Sequence, residues 1–295
     1  LFLNLLILLS NFCWGFWGIF DKKALESSNS RTVLLTQYAL ALPEILLLSA
    51  YMLATRHSVD INVACAFWSM LGSGTATMAM VAYMVAMSKA EASFVLGITA
   101  SYPLVMQLLA SMFLGETLVG NRIIGSILIG AGVFAIGGSA HQSMRETTRR
   151  DRIIVTVCVV LATIGWGIHG LFDKKALSYA PPLVVMVARL LFDLVTFALM
   201  YLAYLRLGID RRLSNPSTWK LCGCSALCLF VGYIAYLSAM TIASASYVIV
   251  ITGCYPLLMY IFALIFLKEK LNWYRLLGVS LVVAGGALVQ LTQAS

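Results

Sequence analysis

Charge is what this sequence has least of. Of its 295 residues only 11% are Asp, Glu, Lys or Arg, where a soluble globular domain carries roughly 25%. So thin a supply cannot give a chain of this length a water-compatible surface, which excludes a soluble fold. Alternation is missing too. Runs such as Leu1–Ser10 do not switch between apolar and polar residues, which excludes a membrane barrel, whose strands alternate. Cysteine occurs seven times but never as CxxC. Cys222, Cys224 and Cys228 come nearest to a cluster and read as packing residues of an apolar segment. No His/Cys/Glu set has metal-ligand spacing, and no Gly-rich Walker loop appears. The chain is therefore not expected to hold a metal or cofactor, hydrolyse ATP or act as an enzyme, and no catalytic residue is assigned.

What is there is apolar and long. Hydrophobic residues make up 61% of the chain, and between polar clusters run stretches of about 20 residues, enough to cross about 30 Å of hydrocarbon as helix. They predict ten transmembrane helices. The first five are 2–25, 31–54, 64–88, 92–114 and 120–140, and the second five are 153–177, 181–207, 217–241, 245–267 and 273–292. The fold class is an all-α polytopic membrane protein. The most polar segment, 141–152 (HQSMRETTRRDR), reads as a basic linker between residues 1–140 and 153–295. A net charge of +8 would point to nucleic acid in a soluble protein. Here the excess sits in short loops, where it reports topology, and no nucleic-acid partner is expected.

The two sets of helices are copies. Trp14-Gly15-Phe16-Trp17-Gly18-Ile19-Phe20-Asp21-Lys22-Lys23-Ala24-Leu25 returns as Trp166-Gly167-Ile168-His169-Gly170-Leu171-Phe172-Asp173-Lys174-Lys175-Ala176-Leu177, 152 residues on. Tyr83 then matches Tyr236, Ser93 matches Ser246, Tyr102-Pro103 matches Tyr255-Pro256, and Glu116 matches Glu269, all 153 residues on. Gly125 and Gly132 match Gly278 and Gly285 at the same offset. Chance does not produce such an ordered series. An N-terminal apolar stretch can be a signal peptide, but its copy in mid-chain cannot, so the first stretch is a true span. Five spans per copy is an odd number, so the second copy must enter the membrane upside down. Such 5+5 inverted repeats are the architecture of many secondary transporters, which hold solute near the midplane between the halves.

These residues resemble the EamA family of the drug/metabolite transporter superfamily. The resemblance lies in the Trp-Gly of each first helix and in a helix ending Leu114-Gly115-Glu116 or Leu267-Lys268-Glu269. A Gly-rich helix follows each, with Gly125, Gly130 and Gly132 in one half and Gly278, Gly285 and Gly286 in the other. It implies ten helices, a central cavity lined by helices 1, 3, 4, 6, 8 and 9, and alternating access by rocking of helix pairs. Members carry amino acids, other metabolites or drugs, often as exporters. The family often has an Arg in the second helix of a half; Arg189 fits, whereas the first half has Gln37 at the matching place. The resemblance thus implies a cavity asymmetric in charge.

It also places Trp-Gly mid-helix, so Asp21, Lys22 and Lys23 and their copies Asp173, Lys174 and Lys175 are expected in the embedded part. Each embedded charge costs about 2.5–3.5 kcal/mol at a helix centre, so these groups should face protein or water. On a helix Trp14, Gly18 and Asp21 share a face, as do Trp166, Gly170 and Asp173, and that face would present a carboxylate to a cavity. The alternative is that the Asp and Lys pair locally and the lysines snorkel to the boundary. Arg189 and Asp193, spaced i,i+4, are expected to pair along one face. Glu44 follows Pro43 and has no evident partner, which suits either a proton-coupling site or an interfacial position near a kink. His169 replaces Trp17 of the first half and offers an embedded imidazole to a solute or a neighbouring helix. Tyr102-Pro103 and Tyr255-Pro256 interrupt helices four and nine at matched depth, with Pro103 and Pro256 as hinges. Tyr83 and Tyr236 add rings at matched positions. Met78, Met80, Met84 and Met87 read either as an adaptable wall or, as the favoured reading, as lipid-facing packing.

The candidate substrate-binding or coupling residues are thus Trp14, Trp17, Asp21, Tyr83, Tyr102, Trp166, His169, Asp173, Arg189, Asp193, Tyr236 and Tyr255. Cationic loop residues gather on the linker side (Arg31, Lys89, Arg145, Arg149, Arg150, Arg152, Arg206, Arg211, Arg212, Lys220, Lys268, Lys270, Arg275), with only Arg56 and Arg122 opposite. The positive-inside rule then puts the linker in the cytoplasm and both termini outside, whereas the resemblance implies cytoplasmic termini. The expected protein is a multi-pass component of the plasma (inner) membrane, monomer or weak homodimer, exporting a small metabolite such as an amino acid. A proton-coupled multidrug or organic-cation exporter is the alternative, with protons as the candidate coupling ion. A membrane-embedded enzyme or structural subunit is a third class, disfavoured by the lack of a catalytic cluster and by the charged, duplicated interior.

Overall fold

A computed structural model gives the architecture, and describes residues 1–90, 95, 98–99, 101–117, 120–138, 148–209, 216–266 and 273–291. Among them there is no strand. The helices are α1 (Phe2–Ser27), α2 (Ser30–Ala39), α3 (Ala41–Ala54), α4 (Val63–Lys89), α5 (Tyr102–Phe113), α6 (Gly120–Gly138), α7 (Arg149–Leu177), α8 (Pro182–Arg206), α9 (Pro216–Ile242), α10 (Ala245–Thr252), α11 (Tyr255–Phe266) and α12 (Trp273–Leu291). Seven stretches are long and apolar enough to cross a membrane, counting α2 with α3 and α10 with α11 as one each. Three shorter apolar helices lie within α5, α6 and α12. The outward faces of the long helices carry exposed leucines and valines such as Leu5, Leu46, Leu53, Val157 and Leu199. So broad an apolar surface belongs in lipid. The chain is an integral multi-pass membrane protein.

Helix starts follow local chemistry. Asn29, Asn62 and Thr148 cap α2, α4 and α7, each side chain accepting a backbone N–H three residues on (Thr32, Cys65 and Asp151), as small polar residues at this place do. Proline opens α8 at Pro182, where its missing N–H has no partner to lose. Helix α7 begins four residues before the expected sixth helix, with Arg149–Arg152 in its first turn. Residues 141–147 of the linker lie outside the described residues, as does the start of the expected fourth helix.

Several of the spans are broken rather than bent. The second parts at Leu40, between α2 and α3. Pro43 has no N–H for the Ala39 carbonyl and its ring clashes there. The ninth parts at Gly253–Cys254, where Cys254 N–H turns back to the Ile251 carbonyl at 3.1 Å. Pro103 and Pro256 stand second in α5 and α11, so each opens a new half-helix instead of kinking a continuous one.

The dominant packing pairs join one half of the chain to the other: α4 with α7, α6 with α12, and α1 with α9. Glycine lets the second pair close to backbone contact. A Cβ on Gly285 would lie 2.5 Å from the Gly125 carbonyl oxygen, and one on Gly125 would lie 2.8 Å from that of Gly285. The core therefore sits between the copies, and the largest packing surface of each faces its counterpart.

Candidate functional site

Where the halves meet, the side chains leave a cavity of about 200 Å³. Its aromatic wall takes Trp14 and Trp17 from α1, Tyr102 from α5, Trp166 from α7, Tyr236 from α9 and Tyr255 from α11. Tyr38, Phe230 and Tyr233 complete it. Ring centroids lie 5.3 Å apart for Trp14 and Tyr236 and 6.0 Å for Trp17 and Trp166, the range of tilted and edge contacts. The polar wall takes Gln37 from α2, Glu44 from α3, His169 from α7, and Arg189 and Asp193 from α8. Spans two and seven therefore line the cavity as well, beyond the six helices the resemblance implied. Met80 faces the cavity while Met84 and Met87 are fully buried; of the four methionines only Met78 is exposed in the way lipid-facing packing requires.

Three of the candidate residues do not form the wall but stand behind it. Tyr83 is fully buried, its ring 5.2 Å from Trp17 and 5.3 Å from Trp166, so it props the two indoles. Asp21 and Asp173 are each 0% exposed, and neither presents its carboxylate to the cavity. They anchor polar residues that do.

In the second half Arg189 Nη1 donates to Asp173 Oδ1 at 2.5 Å. The Tyr233 hydroxyl donates to Asp173 Oδ2, and the guanidinium lies 4.7 Å over the Tyr233 ring, a cation–π distance. His169 Nδ1 donates to the Trp166 carbonyl at 2.6 Å, and Nε2 lies 3.5 Å from Asp173 Oδ2. The expected Arg189–Asp193 pair does not form. The guanidinium crosses to α7, and Asp193 accepts the Ser73 hydroxyl instead. Gly72 makes the crossing possible, because a Cβ there would lie 2.6 Å from Arg189 Nη1 and 3.0 Å from Asp173 Oδ1.

In the first half Gln37 Nε2 and Ser225 Oγ both donate to Asp21 Oδ1 at 2.6 Å. Ser225 occupies the place of Gly72 (225 − 153). One copy thus holds its Asp with Arg over a Gly, and the other holds its Asp with the shorter Gln backed by a Ser. The two half-sites are alike in geometry and unlike in charge.

The lysines are used elsewhere. Lys22 Nζ donates to the Met87 and Ala90 carbonyls at 3.4 and 3.5 Å. Lys174 Nζ donates to the equivalent Met240 and Ala243 at 2.5 and 3.2 Å. Each thereby binds the carbonyl end of α4 or α9, where the helix dipole favours a cation. Glu116 does the opposite at the next helix, accepting the Ala245 and Ser246 N–H groups at 2.8 and 3.0 Å. Ser93 and Glu269, the matching positions in the other half, lie outside the described residues. Sequence reasoning did not reach Tyr38, Gly72, Ser225 or Tyr233. Only Gly72 and Ser225 left a signal, as a small residue and a hydroxyl at matched places.

A model of the EamA-like transporter family matches residues 1–138 and again residues 153–291. One crystal structure superposes with a TM-score of 0.77 at 16% identity, over 98% of this chain and 96% of that one. The likeness there is one of fold. No curated protein matches the chain.

Proposed function

The chain belongs to the EamA-like transporter family, and from that premise we propose that it is a secondary transporter of a small metabolite, an amino acid being the leading candidate. The solute crosses by alternating access through the cavity between two five-helix copies, residues 1–140 and 153–295, inserted in opposite senses. Export is the expected direction, across the plasma (inner) membrane, with the basic linker in the cytoplasm.

One observation carries this reading: a small aromatic cavity between the copies holds Arg189, Asp193 and Glu44 together. Charges at that depth are costly in lipid and mark solute pathways. Glu44 and Asp193 suit the ammonium of an amino acid, and the rings suit its side chain. A volume of about 200 Å³ is below the roughly 300–1,000 Å³ of pockets for drug-sized ligands, which favours a metabolite over bulky drugs.

Counterflow into proteoliposomes preloaded with single amino acids tests it. Labelled amino acid should accumulate transiently when the same compound is inside, and Arg189→Gln should reduce that uptake at least tenfold. Absence of counterflow across the panel, with uptake of a bulky organic cation in its place, would overturn the amino-acid reading.

A further inference from the structure

The cavity's charges do not balance. Glu44, Asp193 and, through its bond to the cavity's guanidinium, Asp173 supply three carboxylates against one cation, Arg189. That cation is already engaged, bonded to Asp173 at 2.5 Å and seated on the Tyr233 ring. Among the described residues Glu44 has neither an ion pair nor a hydrogen bond on its carboxylate.

Resting on the transport reading above, we propose that the site recognises its solute by a protonated amino group, so that its substrates are amines with a flat apolar body, amino acids being one member. The ammonium faces Glu44 and Asp193. The rings enclose the apolar body, and aromatic faces attract a cation. A full negative charge on the solute has no free cation to meet, so the carboxylate of an amino acid is dispensable.

Competition and binding decide it. In counterflow of labelled phenylalanine, phenethylamine and phenylalanine amide should compete within a few-fold of phenylalanine itself. N-acetylphenylalanine and phenylpropionate should be at least tenfold weaker. Quenching of the cavity tryptophans in detergent gives affinities without transport. There Glu44→Gln, and separately Asp193→Asn, should weaken phenethylamine at least tenfold. Phenylpropionate competing as well as phenethylamine, or phenethylamine binding that ignores both substitutions, would overturn the proposal while leaving transport intact. Phenethylamine binding that depends on Glu44, with no counterflow of any labelled amino acid or amine, would support it and sink the transport reading instead.

Discussion

Asp21 and Asp173 are the same residue by descent and sit equally deep, yet they carry different burdens. Asp173 neutralises a buried guanidinium, and removing one partner of such a pair leaves an uncompensated charge at a cost of about 3–5 kcal/mol. Asp21 receives only the neutral donors Gln37 and Ser225, and an asparagine carbonyl accepts the same bonds. Asp173→Asn should therefore lower the thermal unfolding midpoint in detergent sharply, while Asp21→Asn should cost about 1 kcal/mol or less. Equal losses would contradict the half-site assignment. Gly72 follows the same logic. A side chain there must displace a guanidinium pinned by two partners, so Gly72→Ser should cost about 1–3 kcal/mol as overpacking. Pairing it with Arg189→Gln rebuilds the other half's arrangement and should restore part of the loss of Arg189→Gln alone, read as a higher midpoint for the double variant. The sequence alone made the aspartates conspicuous by their duplication. It could not say that they turn away from the cavity, because residues that shape their surroundings, Ser225 at Asp21 and Gly72 at Asp173, lie on helices of the opposite copy.

Helices were the easier level to read, since an apolar run must be helical in lipid and its length follows from the thickness it crosses. The breaks were half legible. Proline marked Pro103 and Pro256, but the parting at Leu40 lies three residues before the Pro43 that causes it. Least legible were the caps between helices. The turn joining α9 to α10 is held from both sides, Lys174 on the carbonyl end of one helix and Glu116 on the amide end of the next. Both match the helix dipoles, and neither partner is near the turn in sequence. Glu116→Gln keeps one acceptor and loses the charge, so it should destabilise by about 1–2 kcal/mol. Hydrogen exchange at the Ala245 and Ser246 amides is the direct measurement. It should quicken there well before the rest of the chain, and unchanged protection at those amides would rule out the cap.

At the scale of the molecule, duplication was plain from the sequence, but the manner in which the copies assemble was not. Each copy reads as a complete five-helix unit, and nothing in the order of its residues says that its principal partners are elsewhere. In the fold α1 packs on α9, α4 on α7 and α6 on α12, every one of them across the copies. Glycines at Gly125 and Gly285 let the third pair meet backbone to backbone. A copy on its own would expose those faces to lipid, and the buried Asp21 would lose the Ser225 hydroxyl of the other copy at a depth where a poorly partnered charge is costly. Residues 1–140 and 148–295 made separately should therefore be degraded or remain protease-sensitive. Made together in one cell, they should associate into a complex that survives detergent extraction and shows counterflow, since the contacts that hold the halves need no covalent linker. A first half that is stable and protease-resistant alone would mean that the interface between copies is a surface of convenience, and the rigid pairing on which the cavity depends would have to be abandoned.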